Sequence, residues 1–421
     1  MISVEEARER ILTFFERLGP EPTPVIDALG QVLAEDILAD FDIPPLDNTA
    51  MDGYAVRAAD TENSSESSPK RLTVIADLAA GYVLDTSVSN GQAVRIMTGA
   101  PIPPGADAIV PFEETDEPLR EPGEAPTRGD TVGVFKEALT GANIRRQGED
   151  IKAGQVVLKA GREMRPSEIG VLSSIGQTEV SVYRRPEVAI LSTGDEIVKP
   201  GENRRKGQIY DANAHSVAAL VKAFGGQPRL LGIAQDTVED LTEKIHSGLD
   251  ADMIVTSAGV SRGDFDVVKD VLAREGAIDF WTVRMKPGKP LAFGAFKAPD
   301  GRRVPHLGLP GNPVSSMVAF ELFGRPAIFK MLGRVGWERP VVKAITRDPV
   351  VNTDARRFFA RCIVTKGEDG RYYADLTGPQ GSGILTSMSA ANGLTVIPED
   401  LPRAEPGDEI DVMMIDWEQP G

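Results

Sequence analysis

Residues 187–196 read EVAILSTGDE. Val188, Ala189, Ile190 and Leu191 form an unbroken apolar run that ends in small residues and two acids, Asp195 and Glu196. A run this short and this apolar belongs to a strand buried on both faces. Working outward, DANAHSVAALVKAFGG (211–226) reads as a helix ending at Gly225, and PRLLGIAQD (228–236) as a second strand. VEDLTEKIHSGL (238–249) is a helix, ADMIVTSAG (251–259) a strand and DFDVVKDVLAREG (264–276) a helix. Alternation at this pitch makes βαβ units. It predicts a central doubly wound parallel sheet, covered on both faces, over residues 184–334.

The flanks have other rhythms. MISVEEARERILTFFERL (1–18) sets Ala7, Ile11, Phe15 and Leu18 at helical spacing among acids, an amphipathic helix rather than a signal peptide. PVIDALGQVLAEDI (24–37) predicts a second helical stretch. Short Val/Ile-rich strands broken by Gly and Pro follow, as in GQAVRIMTGAPIPPGADAIVPFEE (91–114). DTENSSESSPK (60–70) and DEPLREPGEAPTRGD (116–130) read as exposed loops. The expectation is an N-terminal region, 1–183, that opens on helical stretches and continues into a β-rich part. After Gly336 the helices stop. PVVKAITRDPV (340–350), RRFFARCIVTKGEDGRYYADLTG (356–378), GLTVIPE (393–399) and DEIDVMMID (408–416) are strands, with GEDG as a hairpin turn. They form a small all-β domain over 335–421.

Composition narrows the function classes. The 421 residues are 41% apolar and 26% charged, ordinary for a globular protein. A net charge of −17 argues against nucleic acid or an anionic membrane as partner. An anionic ligand must then be drawn in by a local cluster of cations or a metal ion. Cys362 is the only cysteine, so no internal disulfide forms and a reducing cytoplasm is expected. No apolar run approaches the roughly 20 residues that span a bilayer.

In an open α/β sheet, ligands sit at the carboxyl ends of the strands. Those ends carry Asp195 and Glu196, then Asp236, then the loop MIVTSAGVSRGDFD (253–266) with Asp264 and Asp266. After VRM comes KPGKP with Lys286 and Lys289, and after VPHLGL comes PGNPVSS. Each signal has a bland reading: Asp264 as a helix cap, Asn312 as an N-cap with Pro313 at the first helical position, STGDE as a turn. The bland readings leave their convergence on one edge unexplained. A glycine-spaced loop ahead of a helix offers N–H groups to phosphate. Carboxylates beside a phosphate repel it unless a hard cation lies between, and magnesium suits that place. His215, His246 and His306 have no ligand spacing, so zinc is not expected.

PPLDNTAMDGYAV, RIMTGAPIPPGADAIVPFEE, IRRQGEDI, LSTGDEI, AGVSRGDFD, MKPGKPLAFG and GLPGNPVSS occur in that order along the chain. Together they resemble the molybdopterin molybdenumtransferase family, to which MoeA and the C-terminal domain of gephyrin belong. The resemblance covers essentially the whole chain. It implies an N-terminal region with a β-rich domain inserted at about 48–140, a central molybdopterin-binding domain, a C-terminal β-barrel, and a homodimer with shared active sites. It implies a reaction that takes adenylylated molybdopterin and molybdate, releases AMP with Mg2+ present, and leaves molybdenum on the pterin dithiolene. Contact with a molybdopterin adenylyltransferase is a further implied partnership.

By the same resemblance, Asp52, Asp150, Lys286 and Lys289 act in catalysis, and Glu196 and Asp266 hold the metal. Thr98, Arg145, Thr193, Ser257, Gly259, Ser261, Gly263, Asp264, Asp236, Pro310, Gly311, Asn312, Pro313 and Ser382 bind substrate. SAGVS departs from the family's SGGVS, with Ala258 in place of a glycine. Two other readings compete: a molybdopterin adenylyltransferase-like or other nucleotide-linked hydrolase on the same central domain, and a non-enzymatic gephyrin-like scaffold. The extra terminal regions speak against the first. The absence of a visible partner-binding linker speaks against the second.

Overall fold

The computed structural model describes residues 1–117, 130–257, 271, 274 and 276–416. The chain forms two compact units: residues 1–34, 161–165 and 179–421 in one, and residues 35–160 and 166–178 in the other.

The larger unit begins with α1 (Val4–Leu12), whose N-cap Ser3 accepts a bond from the Glu6 amide. Val4, Ala7 and Ile11 are buried, as their spacing requires, and Phe15 follows them into the core. The central sheet has six strands: β1 (Glu187–Thr193), β2 (Gln227–Ala234), β3 (Met253–Ser257), β4 (Gly276–Thr282), β5 (Pro290–Lys297) and β6 (Arg303–Leu309). Their spatial order is β2-β1-β3-β6-β5-β4. β2, β1, β3 and β6 are parallel neighbours. β5 runs antiparallel to both β6 and β4, so the expected parallel sheet holds for β2, β1, β3 and β6 and is corrected to a mixed one at its β5–β4 edge. The reason is local: only a short turn joins β4 to β5, and a parallel return needs a crossover of a dozen or more residues. β4 nevertheless points the same way as β6, so the turn after it lies on the edge where β1, β2, β3 and β6 end.

Both faces of this sheet are covered. Val188, Ile190, Met253, Val255, Leu307 and Phe293 pack on one side with α1, α2 (Ala212–Ala223), α4 (Pro313–Ala319) and α5 (Arg325–Met331). Ala189, Leu191 and Ile254 pack on the other with α3 (Val238–His246), through Leu241 and Ile245. A π-helical turn, Phe320–Gly324, interrupts the helical run between α4 and α5. The helix expected at 264–276 falls mostly outside the described residues.

The second expected helix, 24–37, is a correction. Only Val25–Ala28 makes a 3-10 turn; Gly30 then takes φ +78°, and Val32 and Leu33 bridge to Glu163 and Val182. The apolar spacing there serves an extended chain, with Pro20–Pro24 paired against Glu179–Tyr183. At the other end of the unit, five strands close a barrel in the order Val341–Thr346, Tyr372–Leu376, Arg361–Lys366, Gly393–Thr395, Glu409–Met414. The hairpin at GEDG is present, closed by Gly367 N–H to the Arg371 carbonyl. Helices do not stop at Gly336, however: α6 (Leu385–Ala390) buries Ser387 and Met388.

The smaller unit is β-rich. Its five-stranded sheet runs Ala108–Pro111, Gly53–Val56, Gln92–Ile96, Lys70–Leu78, Thr131–Val134. Alternate residues feed two cores, Tyr54, Val56, Val74 and Val110 on one face and Ala55, Val94, Ile96 and Ile109 on the other.

Candidate active site

At the carboxyl edge of the central sheet, the β1 strand leads from buried Thr193 into a turn at Gly194, with φ +136°. That conformation is nearly confined to glycine. Beyond it Asp195 and Glu196 are exposed. The Asp195 carboxylate accepts from the Asp236 backbone N–H at 3.3 Å, which links the ends of β1 and β2. The Glu196 carbonyl accepts from Ile209 N–H at 2.8 Å, which folds the following loop back.

A cavity of about 460 Å³ opens on this edge. Glu196, Tyr210, Asp211, Asn213 and the whole Pro310-Gly311-Asn312-Pro313 turn line it. Ile209 and Tyr210 are largely exposed and provide an apolar wall. Asn312 occupies the N-cap position of α4 but makes no side-chain capping bond, so the purely structural account of this turn loses its main support. Sequence reasoning passed over Asp211 and Asn213. Asp211 caps α2 by accepting from Ala214 N–H, and the Asn213 amide reaches both Ser257 and Gly311. The available signal was their place at the start of the helix that follows β1.

The two lysines of KPGKP differ. Pro290 lines the cavity, whereas neither lysine is in its wall. Lys286 is half-buried, with its amine 4.7 Å from the Phe358 ring centre and 4.0 Å from the Asp354 carboxylate. Lys289 is exposed. Main-chain pairing of Met285 and Lys286 with Arg357 and Phe358 fastens the turn to the C-terminal region. Ser382 is tied in as well, since its carbonyl accepts from Val314 N–H at 3.1 Å. The loop bearing it is organised by Arg361, fully buried, which donates to the Pro379, Gln380 and Gly381 carbonyls and to Ser387 Oγ.

In the smaller unit, Asp52 accepts from Thr98 twice, from its amide at 2.6 Å and its hydroxyl at 2.7 Å. These bonds hold the Asp52 carboxyl below its ordinary range, the backbone bond contributing most. Arg145 pairs with Asn48, and Thr49 bonds to Gly99 and Ala100, so Asp52, Thr98 and Arg145 lie on interlinked loops. Asp150 is anchored through its amide to the Ile43 carbonyl. Gly259, Ser261, Gly263, Asp264 and Asp266, with Ala258, lie outside the described residues. Among the described residues no three His, Cys, Asp or Glu side chains gather into a metal cage. No described helix is long and apolar enough to cross a membrane.

Residues 2–176 match the MoeA N-terminal region (domain I and II), 189–330 the probable molybdopterin binding domain, and 343–415 the MoeA C-terminal region (domain IV). Molybdopterin molybdenumtransferase 2 of Mycobacterium tuberculosis strain H37Rv is 35% identical, covering 98% of this chain and 99% of its own. The chain belongs to the MoeA family of molybdopterin molybdenumtransferases. The molybdopterin molybdenumtransferase of Nostoc sp. PCC 7120 is 36% identical over 94% of this chain and 90% of that protein. The crystal structure of the MoeA protein of Pyrococcus horikoshii OT3 superposes with a TM-score of 0.77 at 31% identity, covering 98% and 100% of the two chains. The strand-end cavity lies within the stretch that matches the family's molybdopterin-binding domain, with the barrel as its domain IV.

Proposed function

We propose that the chain transfers molybdenum from molybdate to molybdopterin, taking the adenylylated pterin and releasing AMP. The observation that carries this reading is the cavity at the carboxyl edge. Its volume is within the roughly 300–1,000 Å³ range of small-molecule sites. Its wall combines a flat apolar side, Ile209 and Tyr210, with acids and a backbone-rich turn. The first suits a planar heterocycle; the second suits the polar tail. Thr193, Ser257 and Pro310–Pro313 bind the pterin nucleotide, with Asp236 and Ser382 at its margins. Gly259, Ser261, Gly263 and Asp264 complete the phosphate loop. Lys286 and Lys289 neutralise molybdate or phosphate.

The donor chemistry fits magnesium: carboxylates with no histidine or cysteine among them. Glu196 and Asp266 hold it. When bound it neutralises charge on the phosphate oxygens. The chain's own residues orient and neutralise: the Pro310–Pro313 turn supplies backbone groups, and the lysines supply fixed positive charge. Asp52 is held ionised by Thr98 and, with Asp150 and Arg145, handles the departing groups.

These residues divide between the two compact units, and the reading assigns each site to two chains of a cytoplasmic homodimer. One chain contributes Asp52, Thr98, Arg145 and Asp150, and its partner the strand-end residues. The region boundaries at 183/184 and 334/335 belong to the same reading, as does contact with the adenylyltransferase that supplies the substrate. The test is incubation with adenylylated molybdopterin, magnesium and either molybdate or tungstate, following AMP release and metal retained on the pterin. Subunit exchange between Asp52→Ala and Asp266→Ala enzymes should restore roughly a quarter of sites if they are shared. Mixed dimers confirmed by mass spectrometry with no activity would rule sharing out.

A further inference from the structure

Asn213 sits in the first turn of α2 with 8% of its surface exposed. Its side-chain nitrogen donates to Ser257 Oγ at 2.6 Å and to the Gly311 carbonyl at 2.7 Å. The two acceptors belong to different strand ends, Ser257 as the last residue of β3 and Gly311 just beyond β6, and these strands are neighbours in register with Ser257 opposite Leu309. The donor comes from the crossover after β1. One side chain therefore fastens three strand-end segments to each other. A primary amide has two protons on one nitrogen, and here both are used. Ionised aspartate has none to give, serine has one, and glutamine is longer by a methylene.

A purely structural role in starting the helix is already filled, because Asp211 caps α2. We infer that Asn213 is a positioning residue that fixes the separation between Ser257 and the Pro310–Pro313 turn, so that the cavity has its binding shape before substrate arrives. The inference rests on that cavity being the pterin substrate site. Pre-fixing matters because ordering two loops at the moment of binding would weaken binding.

The test compares Asn213→Asp, of the same shape but without donors, with Asn213→Ala. The assay is molybdenum transferred to the pterin, with KM and kcat separated, and thermal melting is followed in parallel. Two lost buried hydrogen bonds correspond to a KM rise of roughly 10- to 100-fold. The expected result is that rise together with a melting temperature lowered by only a few degrees, since the two bonds also belong to the free folded protein, and with kcat changed much less.

A pH profile supplies a readout that a structural role would not move. In Asn213→Asp the introduced carboxyl would face the Gly311 carbonyl in a cavity also lined by Glu196, Tyr210 and Asp211, so its pKa is raised. Protonated in mild acid, it regains one donor, and the Asn213→Asp defect should shrink as pH falls, relative to wild type. The Asn213→Ala defect should stay constant on the same scale. If Asn213→Asp fails to fold, Asn213→Ala and Asn213→Ser, whose shorter side chain cannot span both acceptors, carry the test; Asn213→Ser should raise KM by no more than Asn213→Ala. Wild-type enzyme without molybdenum transfer would refute the site assignment itself. Active wild-type enzyme, with folded variants whose KM stays within twofold, would overturn the role of Asn213.

Discussion

Gly194→Ala tests the geometry on which the proposed metal ligand depends. Two consequences can be worked from the structure. The backbone at 194 has φ +136°, outside even the left-handed helical region that alanine occasionally adopts. Holding alanine there costs on the order of 1–3 kcal/mol. A Cβ would also stand 2.5 Å from a Glu196 carboxylate oxygen and 2.9 Å from its carboxyl carbon. Glu196 is exposed and can swing away, so this contact costs little stability but moves the carboxylate. Displacing a ligand without removing it should raise the half-saturating magnesium concentration on the order of tenfold. Denaturant unfolding measures the first effect, and magnesium titration of AMP release the second. In a Glu196→Ala background the unfolding cost should persist, because it belongs to the backbone. No extra magnesium defect should appear there, because the ligand is already gone. An unchanged unfolding free energy would refute the strain argument. An unchanged magnesium requirement, with the destabilisation present, would refute Glu196 as a ligand.

Thr98→Val keeps the backbone bond to Asp52 but removes the hydroxyl donor, so the Asp52 pKa should rise toward its ordinary range, read by NMR titration; no change would deny the hydroxyl a role. Lys289→Ala should raise the molybdate requirement more than Lys286→Ala, because the Lys286 amine already faces Asp354 and Phe358. Equal effects would contradict that ranking. His306 is buried against Thr256, and desolvation lowers its pKa from 6.5 to about 3. The unfolded chain therefore binds a proton that the folded one refuses, and this stability is full above about pH 6.5. It is lost as pH falls toward 3, by up to about 1.4 kcal/mol per pH unit. In His306→Gln that part of the acid slope should vanish from denaturant unfolding at stepped pH, and an identical slope would refute the assignment.

The central sheet was legible because its strands are apolar runs and its helices have capped, periodic faces. Asp195, Glu196 and PGNP were legible for the same reason, since they stand where those runs stop. The antiparallel β5 was readable in principle: VRMKPGKPLAFG leaves no room for a crossover helix. Residues 24–37 misled because Val25, Ala28 and Val32 have a helix-compatible spacing, which tertiary bridges and Gly30 override. α6 was hidden in a serine-rich stretch, LTSMSA, whose helix is held by Arg361 on Ser387 and by Met388 in the core. Arg361 was beyond reach, and the place of Asn213 at a helix start gave no sign of its two partners, for a different reason. An arginine in a strand and an asparagine in a helix are common, and their roles exist only through partners distant in the chain.

Cys362 yields one more consequence of the proposed chemistry. It is the only cysteine, fully buried in the barrel core, and burial pushes its thiol up to about 12. A thiol in that state remains protonated near neutral pH and is not a metal ligand, since the thiolate is the binding form. Molybdenum prefers thiolate donors in the product, and the chain has no available thiolate to lend. The sulfur ligands must then come from the pterin dithiolene, with the protein holding the metal only as an oxyanion, through charge. Cys362→Ala should accordingly keep the wild-type rate of molybdenum transfer per folded molecule while costing about 1 kcal/mol of stability through the lost packing. Stopped reactions of the two enzymes, separated by size and assayed for metal on protein and on pterin, check this. If the variant folds but loses transfer, or if wild-type protein retains molybdenum that the variant does not, a protein–sulfur intermediate exists. Transfer from oxyanion to dithiolene would then not be direct.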